Sequence, residues 1–273
     1  MINKNAPIGV FDSGVGGLTV AREIMRQIPN ERIVYFGDTA RVPYGSKSKE
    51  TVTRYARQIV RFLQTQEVKA IVVACNTASA YALDEIEKEA DIPMIGVVKP
   101  GAKVAAEATS NGKIGVIATE GTINSGIYSS YIKEIKPDVS VIGKACPLFV
   151  PLVEEGLLQD PVTDEIAKRY LTELIDIGID TLILGCTHYP LIRSTVGRIV
   201  GEGVTLVNPA YETAKELKEL LEAEHMLNEE AAKLGDNKYR FFVSDAAEKF
   251  KHFANSIIKY GILSAKTIHI EEY

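Results

Sequence analysis

Two of the three cysteines in the chain stand in closely similar sequence surroundings. Cys75 ends the apolar run of segment 71–77 (IVVACNT), and Cys186 ends the apolar run of segment 182–188 (LILGCTH). In both segments, hydrogen-bonding side chains follow the cysteine. A short apolar run that gives way abruptly to polar residues is typical of a buried strand, so we expect each thiol to lie at the end of a strand.

A thiol at the junction between a strand and a helix is suited to proton transfer. The free amides and the positive end of the helix dipole stabilise a thiolate there, and they lower the thiol pKa from about 8.5 towards neutrality. We therefore expect lowered pKa values for Cys75 and Cys186. If the two thiols face each other across one cleft, one can remove a proton from a carbon atom while the other delivers a proton to the opposite face, which inverts the stereocentre.

Other uses of paired cysteines fit this sequence less well. A redox pair favours a C-x-x-C motif, which the sequence lacks, and a zinc site needs more ligands than His188 adds. A cysteine hydrolase could use Cys186 with His188, but it would leave Cys75 without a role. Cys146 has no comparable surroundings, and we expect it to be a core residue.

The elements that would position the cysteines repeat along the chain. Short apolar runs alternate with segments of helical periodicity, which predicts an α/β fold with parallel sheets. Segment 113–119 (KIGVIAT) resembles segment 7–13 (PIGVFDS), and the two cysteines are separated by a similar number of residues. We therefore expect a duplicated unit: two pseudo-symmetric parallel-sheet α/β domains with the active site in the cleft between them.

The domain boundaries follow from breaks in this pattern. The Lys-Pro-Gly sequence at 99–101 interrupts the first series of strands and helices, and it marks the first boundary. The last strands of the chain are expected to complete the first sheet. We therefore expect residues 1–98 together with 209–273 to form the domain that supplies the first cysteine. Residues 99–208 are expected to form the domain that supplies the second.

A glycine-rich loop follows the first predicted strand. Gly14 and Gly16 fit the first two positions of the dinucleotide motif G-x-G-x-x-G, but Thr19 occupies the third. The free amides at the start of the next helix favour a small carboxylate over a dinucleotide. A tight strand–helix turn without any ligand is the alternative.

Polar residues that follow the predicted strands could bind a substrate with two carboxylates and an ammonium group. These residues are Asp12, Ser13, Asp38, Tyr44, Gly45, Asn76, Thr77, Thr187 and His188. Asp12 and Asp38 could hold the ammonium group or tune Cys75, and His188 could tune Cys186. Roles as turn-forming or capping residues explain each of these side chains equally well.

Composition and charge exclude several classes of partner. The chain has 273 residues, of which 46% are hydrophobic, and a net charge of −5, which gives no basis for nucleic-acid binding. It has no apolar run of about 18 residues, so no membrane-spanning helix is expected. The first residues lack the pattern of a secretion signal, and the odd number of cysteines suits a reducing compartment. We therefore expect a cytoplasmic protein without nucleic-acid or membrane partners.

Several long motifs together resemble the glutamate racemase family, within the cofactor-independent aspartate/glutamate racemase superfamily. The matching segments are 11–20 (FDSGVGGLTV), 37–45 (GDTARVPYG), 74–80 (ACNTASA), 146–156 (CPLFVPLVEEG), 184–191 (LGCTHYPL) and 242–245 (FVSD). These segments span nearly the whole chain, and the four core motifs contain no departure from the family pattern.

The resemblance implies specific roles for the residues of this sequence. It makes Cys75 the acid/base that acts on D-glutamate and Cys186 the one that acts on L-glutamate. It implies that Asp12, His188 and Glu154 assist proton transfer, although Glu155 lies next to Glu154. The residues implied to contact the substrate are Asp12, Ser13, Tyr44, Gly45, Asn76, Thr77, Thr187 and His188.

The resemblance also implies a cellular role and a mode of assembly. Members of the family supply D-glutamate for bacterial peptidoglycan, use no cofactor or metal, and commonly form dimers. We therefore expect L- and D-glutamate as the substrates, no cofactor, and a homodimer. Two alternatives remain open: an aspartate racemase of the same superfamily, and a non-catalytic amino-acid-binding protein.

Overall fold

The structure, a computed structural model, describes residues 3–228, 238–258 and 264–273. The strands are β1 Ile8–Asp12, β2 Ile33–Gly37, β3 Ala70–Val73, β4 Met94–Gly96, β5 Lys113–Ala118, β6 Ser140–Ala145, β7 Thr181–Gly185, β8 Thr205–Val207, β9 Tyr239–Val243 and β10 Lys266–Thr267. The α-helices are α1 Leu18–Gln27, α2 Lys49–Thr65, α3 Asn76–Tyr81, α4 Leu83–Glu89, α5 Val98–Ala108, α6 Glu120–Asn124, α7 Ile127–Ile135, α8 Phe149–Glu154, α9 Pro161–Ile177, α10 Arg193–Val200, α11 Pro209–Ala223 and α12 Ala247–Ile257. Short 3-10 helices cover Tyr44–Ser46, Tyr189–Ile192 and Ile270–Glu272.

The strands form two parallel sheets that share one topology. The first sheet has the order β10-β9-β2-β1-β3-β4, and the second has the order β6-β5-β7-β8. All strand pairs are parallel. The order β2-β1-β3-β4 therefore recurs as β6-β5-β7-β8, with β1 corresponding to β5 and β3 to β7. This confirms the predicted pair of pseudo-symmetric α/β units.

Helices cover both faces of the first sheet, which explains why its central strands are apolar throughout. All residues of β1, β2 and β3 are buried. Side chains alternate between the faces: Ile8 and Val10 pack in a core with residues of α1, α11 and α12, whereas Phe11 packs in a second core with residues of α2, α3 and α4. A continuous apolar run is the expected pattern for a strand buried on both faces.

The sequence pattern predicts that the series of strands and helices is interrupted at residues 99–101, and this prediction is wrong. Lys99, Pro100 and Gly101 lie within the first turn of α5, which follows the last strand of the first unit. A proline is tolerated there because the first amides of a helix have no intrahelical acceptor. Helix α5 leads from the first sheet to the second, so Pro100 lies in the connection without ending a helix.

The end of the chain returns to the first sheet. Strand β9 pairs with β2 along its whole length, from Ile33 with Tyr239 to Gly37 with Val243. Strand β10 adds to β9. This membership supports the division into residues 1–98 with 209–273 and residues 99–208, which remains a proposal. The sequence also predicts a polar linker at residues 228–238 and a helix at residues 246–260. Most of the linker and the end of this helix lie outside the described residues.

No helix among residues 3–228, 238–258 and 264–273 combines the length and the apolar character needed to cross a membrane.

Candidate functional site

Both cysteines line one cavity between the two sheets. It has a volume of about 380 Å³, which is within the range of small-molecule sites. It opens at the carboxyl ends of the strands, where parallel α/β sheets place their ligands. Every residue predicted for the site lines this cavity except Asp12 and Asp38, which are both fully buried.

A larger hollow lies at the opposite end of the first sheet. It has a volume of about 900 Å³, and Arg32, Gln64 and Arg240 are among the residues that line it. Neither Cys75 nor Cys186 reaches it. We therefore place the site in the smaller cavity, because that cavity holds the reactive side chains.

Cys75 is the N-cap of helix α3, which confirms that it lies at a junction between a strand and a helix. Its sulfur accepts a hydrogen bond from the amide of Ala78 at 3.4 Å, and the residue is 5% exposed. Burial, together with the negative charge of Asp12, raises the pKa of the Cys75 thiol to about 12. The Ala78 amide and the Ser13 hydroxyl act in the opposite direction without balancing this effect. The prediction of a lowered pKa is therefore wrong for Cys75.

Asp12 ends the central strand of the first sheet and is fully buried. Its Oδ2 accepts a hydrogen bond from the Gly14 amide at 3.0 Å, and its Oδ1 accepts one from the Thr187 hydroxyl at 3.4 Å. Burial raises the pKa of Asp12 above its ordinary value, although the charge of His188 opposes the shift. Asp12 therefore connects the Cys75 wall of the cavity to the segment that follows Cys186.

A different group accompanies Cys186. Its sulfur lies 3.8 Å from Nδ1 of His188, and Nε2 of the same ring lies 3.0 Å from Oε1 of Glu154. Burial lowers the pKa of His188, but the contacts with Cys186 and Glu154 outweigh burial and raise the pKa to about 10. The hydrogen bond from His188 lowers the pKa of Glu154. At neutral pH the side chains therefore form an imidazolium–carboxylate pair next to the thiol.

This geometry distinguishes the two adjacent glutamates. Glu154 lines the cavity and contacts His188, whereas Glu155 is exposed. Glu154 is therefore the residue of the pair that is placed to act on His188.

The chain after Cys186 differs from the sequence expectation. A 3-10 helix, Tyr189–Ile192, comes before α10, so Cys186 does not cap an α-helix as Cys75 does. The Tyr189 hydroxyl donates to the backbone carbonyl of Cys146 at 2.9 Å. Cys146 is fully buried in the core of the second unit, which confirms its prediction as a core residue.

The glycine loop after β1 brings the two units into close contact. A Cβ at Gly16 would lie 2.4 Å from Oγ1 of Thr187 and 2.5 Å from the His188 ring, so only glycine fits this position without a shift. The hydroxyl of Thr19 donates to the carbonyl of Thr187 at 2.9 Å. Thr19, which interrupts the dinucleotide motif, thus binds the backbone next to Cys186.

The chain can now be compared with known proteins. The Asp/Glu/Hydantoin racemase family matches residues 8–217. The chain belongs to this family. It is therefore an isomerase of the racemase class, and the resemblance identified from the motifs is confirmed.

Individual relatives match along almost the whole chain. A glutamate racemase of Geobacter metallireducens is 49% identical over 251 residues, which cover 92% of each chain. The crystal structure of a glutamate racemase of Bacillus anthracis superposes with a TM-score of 0.93 at 43% identity, covering 97% of this chain and 98% of that one. A glutamate racemase of Francisella tularensis, in complex with D-glutamate, has a TM-score of 0.91 at 40% identity and covers 99% of this chain and 100% of its own.

Three further hydrogen-bonding residues from the second unit belong to the neighbourhood of the site. The Tyr128 hydroxyl donates to Oδ1 of Asn76 at 2.7 Å. The Thr77 hydroxyl lies 2.8 Å from that of Thr119 and 3.2 Å from that of Thr122. The sequence analysis missed all three. The internal repeat contained a signal for one of them, because Thr119 occupies the position in segment 113–119 that Ser13 occupies in segment 7–13.

Asp38 supports the site from outside the cavity. Its side chain is fully buried and accepts hydrogen bonds from Arg41 Nε at 2.7 Å, from Ser244 at 2.8 Å and from the hydroxyl of Tyr44. Asp38 does not line the cavity, and its ion pair with Arg41 makes it unsuited to hold an ammonium group of a ligand. It instead fixes the loop that brings Tyr44 and Gly45 to the cavity.

Among the described residues, no three His, Cys, Asp or Glu side chains are grouped so that they could hold a metal ion.

Proposed function

We propose that the protein interconverts L- and D-glutamate without a cofactor, by proton transfer between Cys75 and Cys186. The observation that carries this proposal is that the two thiols line one cavity from equivalent positions of a duplicated unit. Opposed acid/base groups are what inversion of a carbon atom by proton transfer requires. The glutamate racemases among the relatives support glutamate as the substrate.

In the direction from L- to D-glutamate, the thiolate of Cys186 takes the α-proton and leaves its bonding electron pair on the substrate. The thiol of Cys75 then gives its proton to the opposite face of the α-carbon, and Cys75 becomes the thiolate. The raised pKa of Cys75, about 12, supports this step, because the thiol holds its proton at neutral pH. The reverse direction uses the same groups in the opposite order.

The His188–Glu154 pair serves the Cys186 side of the reaction. An imidazolium at 3.8 Å from the sulfur stabilises a neighbouring thiolate and can exchange a proton with it. Glu154 keeps the ring charged and oriented through the bond to Nε2. On the other side, Asp12 assists the proton transfer of Cys75. The negative charge of Asp12 favours the protonated form of that thiol.

The α-proton of an amino acid is a very weak acid, so the site must stabilise the anion that forms. Charge develops on the α-carboxylate when the proton leaves. Hydrogen-bond donors aimed at this carboxylate contribute about 3 kcal/mol each in sites from which water is excluded. Asn76, Thr77 and Thr187 line the cavity beside the two thiols, and we assign them to the α-carboxylate together with His188.

The second carboxylate of glutamate is assigned to the loops that follow β1 and β2. The Ser13 hydroxyl and the Gly45 amide are the donors proposed there, and Tyr44 lines the cavity beside them. Because the Tyr44 hydroxyl already donates to Asp38, Tyr44 contributes mainly by positioning Gly45. We assign the substrate ammonium group to the hydroxyl oxygens of Thr77 and Thr187. Asp12 does not line the cavity, and it supports this contact through the hydrogen bond that it accepts from the Thr187 hydroxyl.

The cellular part of the proposal follows from the substrate. A D-glutamate-forming racemase supplies this amino acid for bacterial peptidoglycan, and thereby supports cell-wall synthesis and cell shape. We propose that the protein does this in the cytoplasm as a homodimer. Size-exclusion chromatography with light scattering tests the dimer directly.

The test of the activity uses purified, chelator-treated protein with L-glutamate in deuterium oxide and no added cofactor. Circular dichroism reports the loss of optical activity, and proton magnetic resonance reports the loss of the α-proton signal. Decay of both signals together is the expected result. Decay with aspartate but not with glutamate would identify an aspartate racemase instead. No decay with either amino acid, in protein that binds them, would favour an amino-acid-binding protein and overturn the proposal.

A further inference from the structure

The amide of Asn76 must be oriented before it can recognise a carboxylate. An asparagine side chain carries an acceptor oxygen and a donor nitrogen on the same carbon atom. Rotation by about 180° exchanges the two, so that the oxygen would face a substrate carboxylate and repel it. Asn76 is buried, with 4% of its surface exposed, and any group that selects one orientation acts directly on substrate recognition.

Tyr128 of helix α7 is such a group. Its hydroxyl donates to Oδ1 of Asn76 at 2.7 Å, and both groups are buried. Burial raises the pKa of the Tyr128 hydroxyl above its ordinary value, so the hydroxyl keeps its proton at neutral pH. Because this hydroxyl donates to Oδ1, Nδ2 of Asn76 is left to face other partners.

The packing of the Tyr128 ring shows that the fold leaves space for this contact. Tyr128 belongs to the second unit, whereas Asn76 belongs to the first. A Cβ at Gly185 would lie 3.3 Å from Cε2 of the ring, and a Cβ at Gly101 would lie 3.6 Å from Cε1. The two edges of the ring therefore lie against positions without side chains, one directly before Cys186 and one in the connecting helix α5. This slot lets the hydroxyl reach from one unit to the other.

We propose that Tyr128 is a positioning residue that holds the Asn76 amide with its nitrogen directed to the substrate α-carboxylate. This inference rests on the proposed function, because it assumes that Asn76 binds that carboxylate. Tyr128 does not line the cavity, so it acts through Asn76 and does not contact the substrate. It also couples the orientation of a binding group in one unit to a helix in the other.

The test is a double-mutant cycle of Tyr128→Phe and Asn76→Ala, measured as kcat/KM for glutamate racemisation. The phenylalanine keeps the ring in its slot and removes only the hydroxyl. We expect Tyr128→Phe to lower kcat/KM about tenfold in the wild-type background. The same substitution is expected to have less than a twofold effect when Asn76 is already alanine. Such non-additivity is the signature of a residue that acts through its partner.

A matched control is Tyr131→Phe, one turn further along α7, where the ring lies 5.2 Å from Lys99 Nζ. This variant is expected to keep the wild-type kcat/KM, and thermal unfolding monitors folding in all variants. Equal losses from Tyr128→Phe in both backgrounds would indicate a structural role and overturn the inference, as would no loss in either. Failure of the proposed function is distinguishable, because the wild-type protein would then not racemise glutamate.

Discussion

The two walls of the cavity have the same strand topology but opposite electrostatic surroundings. Cys75 follows β3 and Cys186 follows β7, which occupy equivalent positions in the two sheets. The central strand beside Cys75 ends in the carboxylate of Asp12, whereas the equivalent strand β5 ends in Ala118. Cys186 instead has His188 at 3.8 Å. The repeated strand order thus accounts for two thiols in one cavity, although their neighbours differ.

This difference matters because a two-thiol proton transfer needs unlike partners at the start of each turnover. One thiol must hold a proton while the other is free to accept one. Burial of the thiol, together with the negative charge of Asp12, raises the pKa of Cys75 to about 12, and on the other wall the His188–Glu154 pair holds a positive charge close to sulfur. Substitutions on one wall at a time therefore separate the contributions of the two thiols.

The largest effect is expected from removal of either thiol. Cys75→Ala and Cys186→Ala should each lower the racemisation rate by about 10³-fold, because one face of the α-carbon then lacks its acid/base. Exchange of the α-proton in deuterium oxide should persist with L-glutamate in Cys75→Ala and with D-glutamate in Cys186→Ala. The exchange that depends on Cys75 should become faster as the pH rises, because little of this thiol is ionised at neutral pH.

The control for both variants is Cys146→Ala, which removes a buried thiol outside the cavity. Its racemisation rate should stay within twofold of the wild type. If each single variant still exchanged both enantiomers at the same rate, the assignment of one face to each wall would be wrong.

An intermediate effect is expected from Glu154→Gln. Glu154 raises the pKa of His188, which is about 10, so its loss lowers that pKa. The imidazolium is present below the pKa and lost above it, and the alkaline limb of the rate–pH profile should therefore move down, by about one to two pH units. At pH 10 the rate should fall roughly fivefold to fiftyfold relative to the wild type, since the charged fraction falls from about one half to about one tenth or one hundredth for a shift of one or two units.

Glu155→Gln is the matched control, because Glu155 is adjacent in sequence but exposed. Its profile should coincide with that of the wild type. A shift in the Glu155 variant without one in the Glu154 variant would reverse the assignment of the two glutamates.

The smallest measured effect is expected from Asp12→Asn. The negative charge of Asp12 is the second cause, after burial, of the raised pKa of Cys75. Its neutralisation lowers this pKa and increases the thiolate fraction at pH 9, so alkylation of Cys75 by iodoacetamide should become roughly three- to tenfold faster. Peptide mass spectrometry follows each thiol separately, and Cys146 serves as the internal reference. An unchanged alkylation rate of Cys75 would show that the charge of Asp12 does not raise the pKa of this thiol.

The sequence predicted the fold correctly wherever local pattern and tertiary environment agree. The patterns of the sequence predict strands at residues 181–185 and 239–243 and a helix at residues 18–27, and these are the bounds of β7, β9 and α1. They agree because a buried strand must be apolar and a helix that packs on a sheet must be amphipathic. The break expected at residues 99–101 was wrong, because the effect of a proline depends on its place within the helix. Pro100 lies in the first turn, where its missing amide costs no hydrogen bond.

The features of the site divide in the same way, into those that follow from local sequence and those that depend on the tertiary structure. The sequence by itself determined that two thiols lie at strand ends in a repeated unit, because residue type and spacing are local properties. Only the tertiary structure decided the proton affinity of Cys75. The helix start beside Cys75 favours a thiolate, yet burial and Asp12 dominate, and these depend on atoms that are distant in sequence. The contacts of Tyr128 with Asn76 and of His188 with Glu154 likewise exist only because the fold brings separate segments together.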